Sequence, residues 1–351
     1  MTEDRPFPVY FAARVRGQKS RLFHRAQYDE MLEAAEIQTT IDKLLASTYS
    51  EDMADALSRM EGADAVEDAV SRNLVRTYQR LFRNISDPEY RKLAEIFVAR
   101  WDLAAVKTLL RCRHQGIDLS EAPQQLIPGP TLTVALQQDL AALTSMAELI
   151  GGLVRWNSDL CAPLQRRLAE YEESNSLAVL EEALDRAYFA TNAQNLRYDT
   201  SDDVQMLRRI LQLEIDRINL RILLTMRHHE GNLMERVLPH GTLAASTLQR
   251  MAEASDAEAA VAALGATSYS DLAEGVYEFV QAGRFSQMER LFDRHIINEI
   301  RKYARVHVFS IAVFMEYVWM KYNEVVNMRL VARGEARGLP KQRIREEMIY
   351  V

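Results

Sequence analysis

Three acid–base pairs recur at one spacing in this chain: Asp102 with Lys107, Asp216 with Arg221, and Glu324 with Arg329. The chemistry such residues offer is electrostatic recognition. Positions five apart on a helix do not face each other, so the two members of a pair cannot neutralise one another. Two readings stay open. Each charge pairs inside its own domain, or equivalent charges line equivalent surfaces around a pseudo-threefold arrangement and meet one axial partner.

Other chemistry-bearing clusters read more simply. Gly17-Gln-Lys19-Ser20 is like the end of a phosphate-binding loop, which needs GxxxxGK[ST] after a buried strand. Here Lys19 is not next to the glycine, Ala12 stands where a glycine would, and the segment has a helical pattern. Asp199-Thr-Ser-Asp202-Asp203 could hold Mg²⁺, but at a helix start such residues cap free N–H groups and favour the positive end of the dipole. His228 and His229 are adjacent, and Cys112 and His114 are two apart, so neither pair shares a helix face as metal ligands would. HExxH, CxxC and GxSxG are all missing from the sequence. These spacings give no positive reason for catalysis, and no cofactor or metal is expected.

The elements that carry the charge pairs are helices. From Asp202 to Gly231, Val204, Leu207, Leu211, Ile215, Ile218 and Ile222 are spaced by threes and fours, the stripe of an amphipathic helix. At ~1.5 Å per residue it would span about 40 Å. Its end recurs: Asp102 to Gly116 aligns with Asp216 to Gly231, and Glu324-Val-Val-Asn327-Met328-Arg329 leads to Gly338. The first copy has Ala105 where the others have Asn219 and Asn327. The regions between also match: Leu126-Ile-Pro128-Gly-Pro-Thr131-Leu132 with Val237-Leu-Pro239-His-Gly-Thr242-Leu243, and Leu45–Asp52 with Leu264–Asp271. Each return helix follows a leading helix after a short connection: Asp64–Arg83 before Asp87–Gln115, Leu177–Ala193 before Asp202–His229, and Phe285–Tyr303 before Val306–Arg333. Short connections predict antiparallel hairpins. Phe309, Phe314, Met315, Trp319 and Met320 read as core.

A period of roughly 110 residues exceeds that of the common helical solenoids, so the expected organisation is three related domains, 1–125, 126–236 and 237–351. The fold class is all-α. A net charge of −7 argues against a general nucleic-acid binder. Two cysteines make no disulfide framework and point to a reducing, cytosolic compartment. The N-terminus lacks a basic stretch followed by an apolar run, and the apolar window Val306–Met320 is too short to span a membrane.

In order and spacing, these residues resemble the C subunit of prokaryotic V/A-type rotary ATPases, the relative of the d subunit of eukaryotic V-ATPases. The likeness rests on Tyr10-Phe-Ala-Ala-Arg14-Val15-Arg16-Gly-Gln-Lys19-Ser-Arg21-Leu22, on Trp101-Asp102 through Gly116 with Ile127-Pro128-Gly129, and on Glu214-Ile-Asp216-Arg-Ile-Asn219-Leu220-Arg221. Asn327-Met328-Arg329 with Gly338-Leu-Pro340 and Met348-Ile349-Tyr350 completes it. The resemblance implies a funnel of three helical domains on the cytoplasmic face of the membrane. It would take the central shaft, made of the D and F subunits, at its top and sit on the proteolipid ring. Such a socket transmits torque and does no chemistry. The competing readings are an unrelated triplicated helical scaffold and an all-α enzyme with a pocket assembled from distant residues.

Overall fold

A computed structural model describes residues 8–117, 127–225 and 232–350. His228, His229 and Gly231, Leu126 and the first seven residues lie outside the described residues. Within them every regular element is helical and no strand forms.

In chain order the helices are α1 (Val9–Lys19), α2 (Arg25–Ala34), α3 (Ile37–Leu45), α4 (Ser50–Leu57), α5 (Gly62–Asn84) and α6 (Pro88–His114). There follow α7 (Val134–Ala141), α8 (Met146–Trp156), α9 (Ser158–Ser174), α10 (Leu177–Asn195) and α11 (Asp202–Thr225). The last are α12 (Ala245–Glu253), α13 (Ala257–Ala262), α14 (Ala273–Gln281), α15 (Phe285–Val306), α16 (Ile311–Ala336) and α17 (Lys341–Glu347).

Local signals account for the ends. Asp87 accepts from the Glu89 and Tyr90 N–H groups, and Pro88 opens α6 with its fixed φ. Gly116 and Gly338 take left-handed φ of 69° and 62° just past α6 and α16. There Ile117 N–H bonds Cys112 O and Leu339 N–H bonds Gly334 O, so both helices close with the same Schellman turn. Ala35 ends α2 in the left-handed region at φ 53°, and Thr39 and Thr40 lie inside α3.

The chain divides into two compact units. One takes the residues up to Arg197 together with Val308–Tyr350; the other is Tyr198–His307. Both cuts fall in the short connections that follow leading helices α10 and α15.

Within the first unit the helix pairing departs from the hairpin expectation. Leading helix α5 does not lie along its sequence neighbour α6, which it meets through Tyr78 stacked on Trp101. It runs antiparallel to α16, with Glu67 at Arg329 and Arg333, and Phe82 at Phe314. The connection from α5 to α6 holds extended backbone at Ile85 and Asp87 rather than a reversing turn. Val66, Val70, Leu74, Thr77, Tyr78 and Leu81 form a buried stripe along α5, but the helix that covers it is not α6. That helix is α16, buried on almost every side, with Phe314, Met315 and Trp319 in the core and Phe309 left exposed just before it. In the same way α6 lies antiparallel to α10, with Lys107 at Asp185 and Arg111 at Glu181.

The second unit repeats the arrangement by itself. There α11 lies antiparallel to α15, with Arg217 at Asp293 and Arg221 at Glu289, while α12, α13 and α14 complete the packing. The α11 stripe is buried through Ile218, but Ile222 is half-exposed and Leu220, Leu223 and Leu224 are buried instead. An α-helix drifts against any strict 3–4 repeat, so the buried face rotates along its length. Glu214 and Asp216, on paper part of a polar face, are inside.

Candidate functional site: three buried acid clamps

Asp102, Asp216 and Glu324 are all buried. A buried carboxylate needs donors, because its desolvation otherwise costs several kcal/mol. Each acid obtains them from a chain segment that it thereby fixes to its helix.

Asp102 on α6 holds the segment before α7. Its Oδ1 accepts from the Leu132 N–H at 2.8 Å and the Thr131 N–H at 3.2 Å, and its Oδ2 accepts from the Thr131 hydroxyl at 2.7 Å. Gly129 passes so close that an added Cβ would lie 1.9 Å from Asp102 Oδ1. Burial raises the Asp102 pKa to about 6, against the lowering effect of the Leu132 and Thr131 hydrogen bonds.

Asp216 on α11 repeats the pattern. It accepts from the Thr242 N–H at 3.0 Å, the Leu243 N–H at 3.2 Å, the Thr242 hydroxyl, and the Tyr269 hydroxyl at 2.9 Å. A Cβ on Gly241 would come within 2.1 Å of its Oδ1. Burial raises this carboxyl too, and it pushes the Tyr269 phenol far up with Asp216 adding to the effect.

Glu324 on α16 takes its donors from its own helix and from far earlier in the chain. Its Oε2 accepts from the Phe23 N–H at 2.6 Å, and its Oε1 from the Tyr49 hydroxyl at 2.6 Å and from Lys321 Nζ at 2.9 Å. The N-terminal segment therefore does for α16 what the downstream segments do for α6 and α11. Tyr49 and Tyr269 sit in matching turns. Ser47 Oγ donates to Leu44 O and accepts from Tyr49 N–H, as Thr267 Oγ1 does with Leu264 O and Tyr269 N–H. The structural register thus pairs Ser47, not Thr48, with Thr267.

Three residues after the acid, Asn219 grips Leu238 through both its N–H (2.8 Å) and its carbonyl (2.9 Å). Asn327 grips Ile349 likewise, at 3.2 and 2.9 Å. Ala105 occupies the same step in the first copy and has no amide to offer.

The bases five residues after the acids tie paired helices together. Lys107 Nζ meets Asp185 Oδ2 at 2.7 Å, Arg221 meets Glu289 at 3.5 Å, and Arg329 meets Glu67 at 3.1 Å. The last pair is almost wholly buried, and burial lowers the Arg329 pKa to about 10, with Glu67 opposing. Arg221 stays about one-third exposed. Each base reaches an acid on the leading helix that its own helix lies against.

The remaining clusters are structural. Lys19 ends α1 and pairs with Glu316. Asp199 accepts from Ser201 N–H, and Asp202 and Asp203 stand in the first turn of α11. His114 bonds the Tyr171 hydroxyl. Tyr49 and Tyr269 as hydroxyl donors were missed in the sequence, although the repeated Leu-x-x-Ser/Thr-x-Tyr pattern was a usable signal.

Among the described residues the architecture is all-helical, and the recurring charges are engaged by the chain's own backbone and side chains, as in a structural component. The model of the ATP synthase (C/AC39) subunit family matches residues 11–347. The C subunit of the A-type ATP synthase of Methanosarcina acetivorans is 27% identical over 98% of this chain and 93% of its own length. That of Methanocaldococcus jannaschii is 24% identical over 97% and 86%, and that of Haloquadratum walsbyi 25% over 97% and 98%. The chain belongs to the ATP synthase (C/AC39) subunit family. It is a non-catalytic subunit of a rotary ATPase. No helix among the described residues is long and apolar enough to cross a membrane.

Proposed function

We propose that this protein is the central-stalk socket that couples the shaft, made of the D and F subunits, to the membrane proteolipid ring. In that role it sits peripherally on the cytoplasmic face, with three similar helical domains around a pseudo-threefold axis. The observation that carries this reading is the repeated clamp. A part that transmits torque must not shear between its helices, and here each return helix is pinned twice, by a buried acid to a linker and by a base to a neighbouring helix. Buried polar contacts of this kind tolerate little sliding, because every displaced donor is left unsatisfied. A broad interface is also needed for a coupler that does not dissociate under load. In this reading the acids Asp102, Asp216 and Glu324 with Lys107 and the buried Arg329 stiffen the wall, while Arg221, about one-third exposed, is the member of the set open to a partner surface.

Affinity purification of the tagged chain from gently solubilised membranes tests the assignment. Co-purification of the shaft proteins with a small, very apolar proteolipid supports it. Recovery of the chain alone, with those proteins expressed, would remove it in favour of an independent helical scaffold.

A further inference from the structure

We propose that Lys321 and Glu324 form the lock that assigns the N-terminal segment to its own α16, and keeps the clamp segments from exchanging within the chain or between two copies. The two other clamps close over short distances, 29 and 30 residues for Asp102 and 26 to 53 for Asp216. Glu324 takes its donors from 301 and 275 residues away. By loop-closure entropy alone the distant segment is at a disadvantage of roughly 30-fold in local concentration. At working protein concentrations a second copy's N-terminal segment is then a realistic competitor.

The donor sets are matched against such exchange. Asp102 and Asp216 each take two successive N–H groups and a threonine hydroxyl. The N-terminal segment carries Leu22 and Phe23 at this place, so on Asp102 it would leave Oδ2 without its hydroxyl donor, and on Asp216 it would leave Oδ2 with one hydroxyl donor, Tyr269, instead of two. Glu324 is one carbon longer and takes one N–H, one phenol and one ammonium. Lys321 also lies 3.9 Å over the Tyr49 ring, a cation–π contact available only when that segment is seated. A Thr-Leu segment docked there would compete with Lys321 for the same oxygen. Three residues before the other acids stand Ala99 and Leu213, with no charge to offer. Lys321 and Glu324 are nearly without solvent exposure, and buried ion pairs of this kind serve register better than stability.

The test converts the third clamp to the pattern of the other two with Lys321→Leu and Glu324→Asp together. Reporter cysteines replace Lys19 and Glu316, which face each other across the closure, in a full-length chain with Cys112 and Cys161 changed to alanine. Proteins are refolded from urea at a fixed concentration and treated with a short bis-maleimide, and internal and between-chain products are separated by mass. The expected result is at least a fivefold rise in between-chain product over the parent, with a matching dimer in size-exclusion chromatography. Arg329→Met removes a buried pair from the same helix without touching the clamp, and is expected to leave the product internal. Wholly internal product in the double variant, at parent yield, would overturn the proposal. An equal rise in R329M would also overturn it, by showing that any loosening of α16 suffices.

Discussion

The Tyr49 hydroxyl donates to Glu324 Oε1 at 2.6 Å across 275 positions of sequence, and Tyr269 donates to Asp216 Oδ2 at 2.9 Å across 53. The same phenol–carboxylate contact is thus built once from the two ends of the chain and once locally. The shared element is a turn that presents a tyrosine to the acid of a return helix.

Removing an acid should cost far more than neutralising it. Asp102→Ala leaves the Thr131 N–H and the buried Leu132 N–H without their acceptor, and an unmet buried donor costs about 1–3 kcal/mol. Asp102→Asn keeps a carbonyl for both N–H groups, and the Thr131 hydroxyl can rotate to accept from the new amide. The alanine variant should lower the first thermal transition by several degrees and the asparagine variant by little. Equal losses would show that the charge itself, not the donor set, holds the segment.

The pH dependence follows from the raised carboxyl. Asp102 titrates at about 6 when folded against 3.8 for the free group, so the folded state binds the proton more tightly. Its stabilising contribution is complete below about pH 4 and is lost as pH rises through 6. At 1.4 kcal/mol per unit, that amounts to about 3 kcal/mol between pH 4 and 7. Subtracting the urea midpoints of Asp102→Asn from those of the parent should yield a difference falling over this window. A difference flat with pH, or one that rises, contradicts a carboxyl raised by burial.

Gly129 and Gly241 are predicted to be intolerant for the same reason. A methyl at either would lie about 2 Å from the clamping oxygen, so Gly129→Ala or Gly241→Ala must push the acid off its donors. Gly17, inside α1, has open space where a Cβ would go. Gly17→Ala should be neutral or gain about 0.5–1 kcal/mol by helix propensity. Calorimetry on the three variants checks the contrast, and a tolerated methyl at 129 and 241 would mean the clamps are looser than described.

Leu211→Asp or Ile218→Asp should unfold Tyr198–His307, because both sites are buried in α11 and an unpaired carboxylate there has no donor. Loss of hydrogen-exchange protection through α11 and α15 is the expected signature. Retained protection would refute the placement of the buried face.

Much of this was readable from residue types. The acid and the base five on located three equivalent stretches of return helix, the closing glycine located the two described ends at Gly116 and Gly338, and Asp87-Pro88 opens α6 as its chemistry requires. The partners were not readable. Spacing along a helix says which residues share a face but not what covers it, and the donors to Glu324 come from Phe23 and Tyr49 at the far end of the chain. The α5–α6 pairing misled because a short connection usually reverses direction. Here α16 is buried on almost every side, so it carries apolar residues and internally paired charges facing several neighbours, and burying the α5 stripe against it outweighs proximity in sequence.

The most direct test of the coupling role is depletion and add-back in membrane vesicles carrying the rotary complex. Vesicles lacking this protein should hydrolyse ATP without moving ions, and purified chain should restore transport in proportion to the amount bound. Ion transport that persists at full rate in its absence would contradict the account.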